Sequence, residues 1–330
     1  MTKLSPARAS VALLPGLECV HRGKVRDTYH LDDDHFLVVA TDGVSIFDFV
    51  LNALVSQKGQ ALTAMSHFWL SMLEGFGVKT HLVAAGAEVD QYLPEDLRGN
   101  PELLSRSLVV RSLQMAPVEF VARVYLTGSS LKPYREDGTV CGHSLPPGLE
   151  DGDILPYILD TPTTKAVEGH DLHLDADGVR ARYPAQTYTL IRAFQIVSVF
   201  ARARGIVLAD TKLEFGEDGT LGDEAFTPDS SRFWLRKDWE ASRGASSPRR
   251  APTAYDKQMV REWGKLMGVD KLDPMKPCDV DAVHELVVPQ DLLNSTTQTY
   301  QHIFWLLTGK TLEQYWADLG VELPVKATAS

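Results

Sequence analysis

The stretch that most constrains this chain of 330 residues runs from Gly205 to Trp234, GIVLADTKLEFGEDGTLGDEAFTPDSSRFW. Its apolar opening, Ile206-Val207-Leu208, suits a buried strand. Side chains alternate along a strand, so Asp210, Lys212 and Glu214 share one face while Thr211, Leu213 and Phe215 share the other. Asp218-Gly219 is a dipeptide of two-residue hairpin turns, and a turn centred there brings Glu214 directly opposite Asp223. Opposed like charges are destabilising. The pair therefore reads either as a site for a hard cation such as Mg2+, bound through oxygen ligands, or as a solvated acidic surface turn. Thr227-Pro228-Asp229-Ser230-Ser231-Arg232 then sets hydroxyls and an arginine just past the strand, groups suited to a phosphate.

Composition narrows the classes. A formal net charge of −11 argues against nucleic acid or an anionic membrane as the main partner and leaves room for a local basic pocket. Cys19, Cys141 and Cys278 are odd in number and far apart, which fits a reducing compartment and supplies no metal framework. The opening MTKLSPARASVALL is too short in apolar residues for a signal peptide, and no stretch approaches membrane-spanning length, so the expected location is cytoplasmic. The length suits two lobes rather than one.

Val20 to Val55 reads as an antiparallel meander in which Gly23-Lys24 lies at a tight turn. Backbone N–H groups and a lysine can approach a phosphate there, although a plain surface hairpin has the same pattern. Ser45-x-x-Asp48 puts polar groups at the end of a buried strand, where active-site residues and turns both occur. Helical spacing is predicted for Gln60–Leu73, Thr187–Arg204, Tyr255–Leu266 and Asn294–Leu307. Val109 to Tyr125 is β-rich, with Glu119 and Arg123 on one strand face, and Leu126-Thr127-Gly128-Ser129-Ser130 forms a small-residue turn able to wrap an anion or simply reverse the chain. Residues 137–186 look irregular and carry Lys165 and an acid-histidine cluster that includes Asp171. His170 and His173 lack a third ligand at fitting spacing. Arg243 to Arg250 reads as a flexible basic surface loop, and the tail after Pro324 as frayed.

Several stretches, taken in order, resemble one family: GKVRDTY at 23–29, SIFDFVL at 45–51, QKGQALT at 57–63, ARVYLTGSS at 122–130, LPPGL with TPTTKAVEGHD at 145–171, and ADTKLEFG followed by DE and TPDSSRFW. Together they resemble phosphoribosylaminoimidazole-succinocarboxamide synthase, also called SAICAR synthetase, over about residues 20–265. The resemblance implies an α+β, two-lobed fold, antiparallel sheets with flanking helices, related in layout to protein kinase and ATP-grasp lobes. The expected lobes are 1–118, β-rich with the ATP phosphate turn, and 119–330. It implies an ATP-dependent ligase that joins L-aspartate to the carboxylate of carboxyaminoimidazole ribotide in purine synthesis. In that reading Gly23 and Lys24 hold ATP phosphates, Glu214 and Asp223 hold Mg2+, and Arg123, Ser129 and Arg232 hold the ribotide. Asp210 and Lys212 lie close to the reacting groups, and Lys165, Asp171 and Asp48 are further substrate contacts. ATP and Mg2+ are the expected cofactors, small molecules the expected partners, and the assembly a monomer or a small homo-oligomer. The chain departs from the family pattern at Gly43, where a basic residue is usual, at Ile46, at Val124, where glycine is usual, and at Leu172-His173. The departures at Gly43 and Leu172 motivate a second reading, a nucleotide-binding or kinase-like homologue with altered or lost ligase activity.

Overall fold

The computed structural model describes residues 4–165, 172–244 and 246–324. The chain forms two compact units: residues 1–68, 81–112 and 259–330 make one, and residues 69–80 and 113–258 make the other.

In the first unit, strands β1 (Cys19–Arg22), β2 (Arg26–His30), β3 (His35–Ala40), β6 (Leu82–Ala85) and β7 (Ser107–Arg111) build an antiparallel sheet in the order β1-β2-β3-β7-β6. Strands β4 (Gly43–Ile46) and β5 (Phe49–Leu54) pair only with each other. A lone two-stranded ribbon is marginal in water. This one is kept by an apolar cluster in which Val44, Ile46, Phe49 and Leu51 meet Val260, Val269, Val280, Val283 and Leu293. Those partners come from the C-terminal helices, among them Gln258–Leu266, Pro277–Glu285 and Gln290–Thr308. The expected lobe boundary at 118/119 is corrected accordingly: residues 259–330 fold with the N-terminal unit, because their apolar faces cover the ribbon that no sheet covers.

The second unit is organised on β13 (Ile206–Phe215), the longest strand. Strand β8 (Val118–Tyr125) pairs antiparallel along one edge of it, and β14 (Leu221–Gly222) and β15 (Ser231–Leu235) along the other. Strands β11 (Ile154–Asp160) and β12 (Thr163–Thr164) extend the sheet beyond β8, while β9 (Thr139–Val140) and β10 (His143–Ser144) form a separate small ribbon. Residues 137–186 thus contain more regular structure than their Gly, Pro and Asp content suggests. The helix Pro184–Ala203 packs Leu190, Phe194 and Val197 inward, and the chain leaves it through Gly205 at φ +73°. Phe120 and Phe215 meet edge to face at 5.2 Å between ring centres, which seals that side of the sheet with apolar surface. The basic run is not a free loop: Arg243 pairs with Asp153 at 2.7 Å, and Arg249 with Glu150 at 2.6 Å and Asp153 at 3.0 Å. Among the described residues no helix is long and apolar enough to cross a membrane.

A chain ending at Gln258 is expected to lose amide-exchange protection across Gly43–Leu54 while keeping it across Ile206–Phe215. Full protection of Gly43–Leu54 in that truncated chain would contradict the shared core.

Candidate functional site

The charged face of the second unit follows from strand register. Asp210 on β13 lies opposite Arg123 on β8 and opposite Arg232 on β15, so one carboxylate stands between two guanidinium groups. Asp210 Oδ2 is ion-paired with Arg232 Nη1 and lies 3.5 Å from Arg123 Nη1. Both Arg123 and Asp210 are buried. Burial pushes the Arg123 pKa down and the Asp210 charge pushes it back up; for Arg232 the Asp210 charge comes first, and the pKa is raised. The Arg123 fork is otherwise filled: Nε donates to Thr161 Oγ1 at 2.8 Å, Nη1 to the Thr127 carbonyl at 3.1 Å and Nη2 to Ser129 Oγ at 3.4 Å. Ser129 itself is exposed.

The turn after β8 is shaped to admit Arg232. Gly128 has φ +63°, and a Cβ there would stand 2.6 Å from both terminal nitrogens of Arg232. A side chain at 128 would collide with the guanidinium, so the small-residue turn serves close approach.

Two further pairs continue the face. Lys212 pairs with Glu119, whose other oxygen accepts from Thr163 Oγ1 at 3.1 Å. Lys165 pairs with Glu214. Both carboxylates are buried and both lysines are roughly half exposed, so the acids are fixed and the cations are the movable partners. The expected opposition of Glu214 and Asp223 is shifted by one residue: Glu214 faces Gly222. The turn is centred on Glu217-Asp218, closed by Gly219 N–H donating to the Gly216 carbonyl at 2.9 Å. Gly219 follows at φ +83°, adding one residue on the returning side. Asp223 falls just beyond β14 at φ +51°, and its charge still reaches Glu214. Burial raises the Glu214 pKa first, Asp223 raises it further, and Lys165 opposes both.

A buried carboxylate whose proton affinity a neighbouring acid raises, with oxygen donors on both side chains, fits a hard divalent cation. Among the described residues no group of three or more His, Cys, Asp or Glu side chains is arranged to hold a metal ion. Substrate oxygens and water would have to complete such a shell.

The hydroxyls of 227–231 are already engaged in shaping the chain rather than aimed at a ligand. Thr227 Oγ1 donates to Glu224 Oε2 at 2.6 Å, Ser230 Oγ accepts from Thr227 N–H at 3.1 Å, and Ser231 Oγ shares a 2.7 Å bond with Thr211 Oγ1. Asp171 lies outside the described residues. His173 faces Cys141 Sγ at 3.2 Å, not a metal cluster. Val124 packs against the apolar cluster of Tyr125, Val207 and Trp234. Glu119 was visible as a face-sharing residue, whereas its salt bridge to Lys212 depends on pairing between distant strands. Thr161 opens the TPTTKAVEGHD stretch, but its contact with Arg123 depends on the pairing of β11 with β8.

In the first unit, Lys24 Nζ lies 2.7 Å from Asp48 Oδ1. Asp48 belongs to the two-residue turn Phe47-Asp48 between β4 and β5, with φ +49° and +66°. Left-handed backbone costs a non-glycine residue about 1–2 kcal/mol, and such strain concentrates where side-chain placement matters. The Gly23 N–H donates to the Arg26 carbonyl at 2.7 Å, closing the turn that presents Lys24.

Replacing Asp223 by Asn is expected to lower the Glu214 pKa, and replacing Lys165 by Ala to raise it. Carboxyl carbon NMR titration checks both, and movement of both in the same direction would contradict the assignment.

A family model described as SAICAR synthetase matches residues 19–272. The chain is 39% identical over 309 residues to the phosphoribosylaminoimidazole-succinocarboxamide synthase of Streptomyces coelicolor, covering 90% of this chain and 95% of that relative. It is 38% identical over 306 residues to the enzyme of the same name from Chromobacterium violaceum, covering 90% of this chain and all of the relative. Among solved structures, a SAICAR synthase from Saccharomyces cerevisiae complexed with SAICAR superposes with a TM-score of 0.76 at 31% identity, over 92% of this chain and 98% of that one. With a matching family model across most of its length, and a relative 39% identical over 90% of it, this chain belongs to the SAICAR synthetase family.

Proposed function

We propose that the protein is an ATP-dependent ligase that couples L-aspartate to the carboxylate of carboxyaminoimidazole ribotide, releasing SAICAR, ADP and phosphate. The observation that carries this reading is the row Arg123–Asp210–Arg232 beside the open Gly128 turn: two guanidinium groups held by one carboxylate carry a surplus positive charge suited to an anionic ribotide. A carboxylate is a poor electrophile. Transfer of the ATP γ-phosphoryl group to one of its oxygens makes an acyl phosphate, the aspartate amine then attacks the acyl carbon, and phosphate leaves with the former carboxylate oxygen. The protein's contribution to such a reaction is positioning and charge neutralisation.

In this reading Arg232 and Arg123, with Ser129 at the rim, bind the phosphate and carboxylate of the ribotide. Asp210 keeps the two arginines apart and oriented. Lys212 and Lys165 can leave their carboxylate partners to meet charge that develops during transfer. The Gly23–Lys24 turn, with Asp48 setting the lysine, takes ATP phosphates. Mg2+, held by Glu214 and Asp223 together with substrate oxygens, would supply further neutralisation of phosphate charge. Asp171 is proposed as a further polar contact on the strength of the resemblance alone.

ADP release measured with ATP, Mg2+, carboxyaminoimidazole ribotide and aspartate, leaving out each in turn, tests the proposal. Turnover is expected only with all four present. Turnover that ignores ribotide and aspartate would support a homologue with altered chemistry instead. In the same assay Arg232→Ala is expected to raise the KM for the ribotide about 10- to 100-fold, the loss of a charge-assisted hydrogen bond.

A further inference from the structure

Arg8 has no part in the reading above. Its side chain is fully buried, and Nη2 donates to the Gly23 carbonyl at 3.2 Å while pairing with Asp27. Among the described residues, Nε and Nη1 are buried without a hydrogen-bond partner. A buried guanidinium with unfilled donors is a poor way to stabilise a core, since an apolar side chain of similar volume would fill the space without that cost.

Its location suggests why it is kept. The side chain crosses β4 at Gly43, where a Cβ would stand 3.0 Å from Arg8 Cδ and 3.1 Å from the Lys24 carbonyl oxygen. The backbone around it is anchored to the next strand: Ser5 Oγ donates to the Leu51 carbonyl at 2.7 Å, and the Ala7 N–H to Asn52 Oδ1 at 2.8 Å. Arg22 Nη2 in turn donates to the Arg8 carbonyl at 3.3 Å. Residues 5–8 therefore tie the β1–β2 turn, which carries Lys24, to the β4–β5 ribbon, whose strained turn carries Asp48.

We propose that Arg8 is a positioning residue for nucleotide binding, setting the Gly23–Lys24 turn against the Asp48 turn through its simultaneous hold on the Gly23 carbonyl and Asp27. This rests on the reading of Lys24 as an ATP-phosphate contact, so Lys24→Ala is measured alongside.

Calorimetric titration of the intact protein with ADP tests it. Arg8→Met keeps the packed stem and removes the fork; it is expected to weaken ADP binding about tenfold, a loss on the scale of one hydrogen bond to a charged group. Arg8→Lys keeps the charge but reaches one acceptor, and is expected to recover to within about threefold of the native protein. In steady state the KM for ATP rises in Arg8→Met and the KM for aspartate does not, whereas mere loss of folded protein lowers kcat alone. Unchanged ADP affinity in Arg8→Met, with Lys24→Ala weakened, overturns the role of Arg8. Unchanged affinity in Lys24→Ala overturns the nucleotide reading of the turn itself. Should Arg8→Met fail to fold, Arg8→Gln decides: it keeps a donor in the pocket without the charged fork and is expected to weaken ADP binding, and native affinity there overturns the proposal.

Discussion

The charged face of the second unit depends on one carboxylate shared by two arginines. Asp210 stands on the central strand between Arg123 and Arg232 because antiparallel pairing on both edges of β13 puts the three residues in one row. Removing water from Arg123 disfavours its charge, and Asp210 offsets part of that cost. The three side chains of the row sum to one positive charge, in a chain whose overall balance is −11, and Asp256 and Asp151 act on Arg232 from outside the row. A diffuse negative field gives an anionic ligand no general attraction, so affinity has to come from such local surplus.

The neighbouring pairs differ in character. Lys212 and Lys165 are long, half-exposed side chains resting on buried acids, free to rotate where the acids are not. Glu214 is set apart by burial and by its neighbour Asp223, which raise its proton affinity, while Lys165 and, more weakly, Lys212 oppose them. The arginine row is a stiff platform and the lysine-carboxylate pairs are its adjustable rim. In the first unit, strain has the same ordering effect: Phe47-Asp48 takes up a tight left-handed turn, and Asp48 meets Lys24 there.

Much of this was legible in the chain itself. Alternation along 206–215 placed Asp210, Lys212 and Glu214 on one face, and Glu119 with Arg123 on another strand's face, because the period of a strand is local. Register between strands is not local. Gly219 adds a residue to the turn, which shifts Glu214 from Asp223 to Gly222, and no pattern within the hairpin distinguishes a turn centred on Glu217-Asp218 from one centred on Asp218-Gly219. The hydroxyls of Thr227, Ser230 and Ser231 looked like ligand groups in a linear reading, yet the fold uses them to close their own turn and join strands. The return of residues 259–330 to the N-terminal unit was hidden for a similar reason: amphipathic helices announce that they have a partner without naming it.

The central claim, that Asp210 holds Arg123 and Arg232 as a preset anion site, is tested most directly through the guanidinium Nη–H signals of those two arginines in NMR spectra. The account predicts slowly exchanging, distinct signals in the native protein, a shift of the Arg232 signal on adding ribose 5-phosphate, and loss of slow exchange for both in Asp210→Asn. Averaged, solvent-like signals in the native protein, or an Asp210→Asn spectrum identical to it, would contradict the claim.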